Sequence, residues 1–111
     1  MIQYYIYRDN DPDNEKRTIL DRAYKKFGGQ TTVWRVTQEV KAVSQRYGVS
    51  DAITIAPSPG KGLKITFLNP VITRLEPFDT LKPYLRELQE AIYDCGYGVT
   101  AGDDFFEVFK V

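Results

Sequence analysis

Between Gly28 and Gly48 the chain reads GGQTTVWRVTQEVKAVSQRYG, with Val33, Val36, Val40, Val43 and Tyr47 at alternating spacings of three and four. That spacing places all five on one stripe of a helix. A strand would account only for TTVWRVT, where β-branched residues crowd together, and would leave the later valines unexplained. A helix is therefore expected over 31–48, capped by Thr31 or Thr32 and ended by Gly48. Upstream, Ile19, Leu20, Ala23, Tyr24 and Phe27 recur at helical spacing, which predicts a helix over 12–28. Asp11 is its expected cap and Pro12 suits the first helical position. Asp13 and Glu15 favour the positive helix start, and Gly28-Gly29 stops the helix.

The other elements follow from shorter patterns. IQYYIYR, residues 2–8, is rich in β-branched and aromatic types and reads as a strand. DAITIA and LKITFLN, joined by PSPGKG, read as a hairpin with a proline- and glycine-bearing tip at 57–64. A third helix is expected over 79–95, with Leu81, Leu85, Leu88, Ile92 and Cys95 inward and Gly96 at its end. DDFFEVFKV closes the chain as a strand. The order βααββαβ predicts a single small α+β domain over 1–111, a ferredoxin-like sheet with an extra helix in its first crossover. The alternative packing of the same elements is a helix-turn-helix with a β-hairpin wing.

Composition narrows the chemistry. A length of 111 residues is that of one domain. No apolar run approaches the roughly 18 residues needed to cross a bilayer. MIQYYIYRDN lacks a basic start and a long apolar stretch, so no secretory signal, no membrane partner and a cytoplasmic location are expected. Cys95 is the sole cysteine, which excludes an internal disulfide and reads as a small buried thiol. The chain has no histidine, which removes Ser-His-Asp and Cys-His nucleophile systems and imidazole metal ligands. No cofactor is expected.

Charge changes the picture more. Net charge is zero, yet residues 1–15 carry −3, residues 16–64 carry +7 and residues 65–111 carry −4. A basic middle hidden in a neutral total is a footprint of polyanion binding. Its competing reading is a solvated basic surface neutralised by the acidic third helix. Arg17, Lys25, Lys26, Arg46, Lys61 and Lys64 are the candidate phosphate contacts. Trp34 falls opposite the valine stripe, beside Gln38, Lys41 and Gln45. A tryptophan among polar residues suits recognition, with Arg35 and Lys41 on phosphates, unless it folds back onto the preceding helix.

Four motifs bear on function. AYKKFGGQTTVWRV resembles a helix-turn-helix, which implies that Gln30, Thr31, Thr32, Trp34 and Arg35 face a major groove. PSPGKGLK lacks the first glycine and the hydroxyl residue of a phosphate loop, and it joins strand to strand. Tyr4, Tyr5 and Tyr7 with Lys61-Gly62 are similar to RNA-recognition motifs. Leu63 and Ile65, however, stand where that family has stacking aromatics. Asp9, Asp11 and Asp13 alternate after the first strand. They fail as a calcium loop but could hold magnesium, as an aspartate there resembles small CRISPR-associated nucleases of ferredoxin-like fold. Their competing role is to cap and polarise the first helix. The leading expectation is a small non-enzymatic nucleic-acid-binding protein. A protein-binding module, such as a virus-encoded or regulatory inhibitor, is the alternative, and a metal-dependent nuclease comes third. A homodimer is compatible with each.

Overall fold

A computed structural model describes residues 12–58, 62–68 and 78–111, without the side chains of 12–15 and 78–81. Its elements are α1 (Pro12–Phe27), α2 (Val33–Arg46), β1 (Ile53–Ser58), β2 (Gly62–Phe67), α3 (Phe78–Asp94), β3 (Tyr97–Ala101) and β4 (Phe105–Lys110). A short 3₁₀ turn at Ser50–Ala52 leads into β1. Among the described residues three helices lie with one four-stranded antiparallel sheet of order β1-β2-β4-β3. The fold is α+β.

The strand order agrees in part with a ferredoxin-like arrangement. The hairpin β1–β2 and the crossing helix α3 are in place. The side of β2 that a split βαβ unit gives to the first strand is held by β4, paired from Leu63↔Val108 to Thr66↔Phe105. The expected strand at 2–8 lies outside the described residues. One strand was not foreseen. Tyr97–Ala101 forms β3 and turns through 102–104 into β4, so two strands follow α3. Gly98 interrupts its apolar pattern, and in the fold the Phe109 ring lies across that glycine.

The valine stripe sets the inward side of α2, as its spacing requires. Val36, Val40 and Val43 are buried, and Val33 and Tyr47 pack against the same core. Thr32 caps the helix, its hydroxyl accepting from the Arg35 N–H at 3.2 Å. In α1, Ile19 and Ala23 are buried and Phe27 is half-buried, but Tyr24 is exposed, which corrects the apolar face expected there. One residue is 100° of helix, so a side chain just past a narrow buried stripe already turns to water. Gly28 ends α1 with φ +78°, and the Gly28 and Gly29 N–H groups bond the Tyr24 and Ala23 carbonyls.

α3 is the hub. It packs against α1, α2 and β3, whereas α1 and α2 make little contact with each other. Among the described residues α1 and α2 thus rest separately on α3 and do not form a helix-turn-helix pair, and β1–β2 is part of the sheet rather than an added wing. Tyr84, Leu85, Leu88, Gln89, Ile92 and Tyr93 of α3 are all buried. Tyr84 links the layers: its ring stands 5.2 Å from that of Tyr47 and 6.3 Å from that of Phe67, which meets Phe106 edge-on at 5.1 Å. Such ring pairs add about 0.5–1.5 kcal/mol beyond area burial.

Burial pushes the Tyr84 hydroxyl up to about 12, opposed by its hydrogen bond with Ser44. That bond, 2.9 Å long, is the inner polar link between α2 and α3. Ser44→Ala should cost about 1–3 kcal/mol, because the Tyr84 hydroxyl loses its partner away from water. Adding Tyr84→Phe should then cost little more or restore stability. Urea denaturation of the double-mutant cycle measures this, and two full, additive losses would contradict it.

Candidate functional site

The segment between α1 and α2 is held to the end of α3. The Thr31 N–H and hydroxyl both donate to the Cys95 carbonyl, at 3.0 and 3.1 Å. The Gln30 amide donates to the Gly96 carbonyl at 2.7 Å and to the Val111 carbonyl at 3.4 Å. The Tyr97 hydroxyl donates to the Thr31 carbonyl at 3.1 Å. GGQTT is therefore a staple. It fixes where α1 stops and where α2 starts, and it occupies the Gln30 side chain. Thr32 is spent in the same sense as the helix cap.

What the staple presents is a cluster of aromatic rings and cations. Trp34, in the first turn of α2, is 65% exposed. The Arg35 guanidinium lies 5.4 Å from the Phe27 ring centroid and 6.0 Å from that of Trp34. Lys26 stands 5.8 Å from the same Phe27 ring. Tyr24, one turn before Phe27, is 71% exposed. Tyr24 was missed as a surface residue because helical spacing assigned it to the core, whereas Phe27 does pack against the core and offers only part of its ring. The signal for Tyr24 was the stripe it shares with charge: Arg17, Asp21 and Tyr24 follow one another at i, i+4 and i+7.

The predicted basic surface divides when folded. Arg17, Lys25 and Lys41 are exposed and make no ion pair among the described residues, and Lys41 shares the Trp34 stripe with Gln38 and Gln45. Asp94 takes Arg22 at 2.8 Å and Lys26 at 3.7 Å. Arg46 pairs with Glu87 of α3. Lys64 projects from the sheet face away from the helices, 4.6 Å from the Phe105 ring and opposite Glu107, so it does not join the α1–α2 cluster. Lys61, Asp9 and Asp11 lie outside the described residues, as does the Asp13 side chain. Among the described residues no group of carboxylates and cysteine is placed to hold a metal ion. Cys95 is fully buried, and burial raises its thiol above the ordinary value.

Glu87 ties α3 to the end of α2. The Tyr47 hydroxyl donates to it at 2.8 Å. That hydrogen bond, helped by Arg46 and opposed by burial, holds its carboxyl below the ordinary range. A lowered folded value means that this stabilisation is present above the unfolded carboxylate range and is lost as pH falls through the folded value. Wild type should therefore lose more stability than Glu87→Gln as pH falls through and below the ordinary carboxylate range. Urea midpoints across that window test it, and parallel profiles would contradict it.

Among the described residues no helix is long and apolar enough to cross a membrane. No protein-family model matches the chain, and neither a curated protein nor a solved structure matches it.

Proposed function

We propose that the chain is a nucleic-acid-binding protein and that its contact surface is the aromatic and basic cluster where α1 ends and α2 begins. The observation that carries this reading is the exposed Trp34 ring beside Arg35, on a stripe that continues to Lys41. An exposed tryptophan gives up hydrophobic burial, and flanking cations suit it to a flat, negatively charged ligand. The hydrogen bonds that anchor Gln30 and Thr31 hold the cluster on a rigid base. Arg17 and Lys25 extend the positive surface along α1. Binding rather than catalysis is favoured by the lack of histidine and by a buried, poorly ionised thiol.

Tryptophan, tyrosine and arginine are also the residues that dominate protein interfaces, so a protein partner is the second reading. Equilibrium binding to nucleic acid across a salt series separates the two. The logarithm of affinity should fall linearly with the logarithm of salt concentration, by about 0.7–0.9 per phosphate contacted. Absence of binding at low salt, or an affinity indifferent to salt, would overturn the proposal and favour the protein partner.

A further inference from the structure

Granting that reading of the surface, we propose that its ligand is an unpaired strand, held by stacking of bases on Trp34 and Tyr24, rather than a duplex read through a groove. Four observations point the same way. The first is what groove reading would require. Gln30 and Thr32 are the short polar side chains that would meet base edges, and both are already engaged by the fold. Freeing them would undo the staple or the helix cap.

The second is the shape of the helix pair. A groove-reading helix is braced across the backbone by the helix before it. Here α1 and α2 each rest on α3 instead. The third is the ring exposure itself. Trp34 and Tyr24 are 65% and 71% exposed, and a ring of that kind gains most from a base whose face is open. Bases in a duplex stack on one another and offer only their edges.

The fourth is the supply of charge. Duplex binding without sequence reading is almost wholly electrostatic. Asp94 holds Arg22 and Lys26, and Glu87 holds Arg46. The remaining cations near the rings are few. A ligand bound here needs a contribution besides phosphate contact, and each stacked base supplies roughly 5- to 150-fold in affinity. Arg35, within 6.0 Å of the Trp34 ring, is placed to meet the phosphate next to a stacked base.

The test uses the whole chain and its one tryptophan. Oligothymidylate, oligouridylate of equal length and a mixed-sequence DNA duplex are titrated separately, reading both affinity and Trp34 emission. Binding of either single strand at least about tenfold tighter than the duplex, with quenched emission, is the expected result. Trp34→Ala should weaken single-strand binding by roughly 5- to 150-fold, and Trp34→Phe should recover much of it. Equal or tighter duplex binding, or single-strand binding that leaves emission and the Trp34→Ala affinity unchanged, would overturn the stacking proposal while nucleic-acid binding stands. Failure of all three ligands to bind at low salt would overturn both.

Discussion

Gly62→Ala is expected to destabilise the protein by about 3 kcal/mol or more, at or beyond the upper end of ordinary overpacking. Gly62 opens β2 where that strand runs beside β4. A methyl group there would fall on the Val108 carbonyl oxygen, with the Val108 carbonyl carbon 2.8 Å away and the Phe109 Cα 3.1 Å away. These are backbone atoms, so no side chain can swing aside, and relief requires parting the two central strands. Gly28→Ala is the control. Nothing lies within 4 Å of a methyl group at Gly28, and only its φ of +78° opposes the change, at about 1–2 kcal/mol. Urea denaturation of both variants decides the matter. Equal losses would mean that β2 and β4 do not pair as described.

Leu88→Ala should cost about 2–5 kcal/mol, because the cavity would open in the middle of the helix that every layer shares. Leu88 is fully buried on α3, among residues that face α1, α2 and the sheet together. Trp34→Ala removes a larger side chain, yet it should shift stability by no more than about 0.5 kcal/mol, because that ring covers no core. The pair reverses what residue size alone would predict. A loss of about 3–5 kcal/mol on truncating Trp34 would mean that the ring is architectural.

How much of this was legible in the sequence depended on the kind of signal. The inward side of α2 was legible because five apolar residues repeat with the helical period, and Trp34 was exposed by the same geometry. The third helix was legible, but its central place was not. Tyr84, Gln89 and Tyr93 look polar or amphipathic in the sequence, and their burial is helped by hydrogen bonds that a local pattern does not show, Ser44 with Tyr84 and the Gln89 amide to the Tyr93 hydroxyl. β3 was illegible because Gly98 breaks a run of only five residues. The candidate site was half legible. The outward facing of Trp34, Arg35 and Lys41 was legible from the helical period, and all three are exposed on α2. Gln30 and Thr32 looked like recognition residues because short polar side chains suit bases and backbone carbonyls equally well. For Gln30 the structure adds long-range bonds to the Gly96 and Val111 carbonyls, which no local pattern announces. The pairing of Arg46 with Glu87, 41 positions away, was likewise beyond any local pattern.

The most direct measurement is the salt dependence of oligonucleotide binding by the wild type and by the Lys25→Gln/Arg35→Gln/Lys41→Gln variant. All three residues are exposed, so the fold should survive their loss of charge. If the α1–α2 surface is the contact surface, the variant should bind more weakly at low salt. Its salt slope should be shallower by about 0.7 for each single-strand phosphate contact removed. Equal affinity and equal slope in the two proteins would contradict the assignment of this surface.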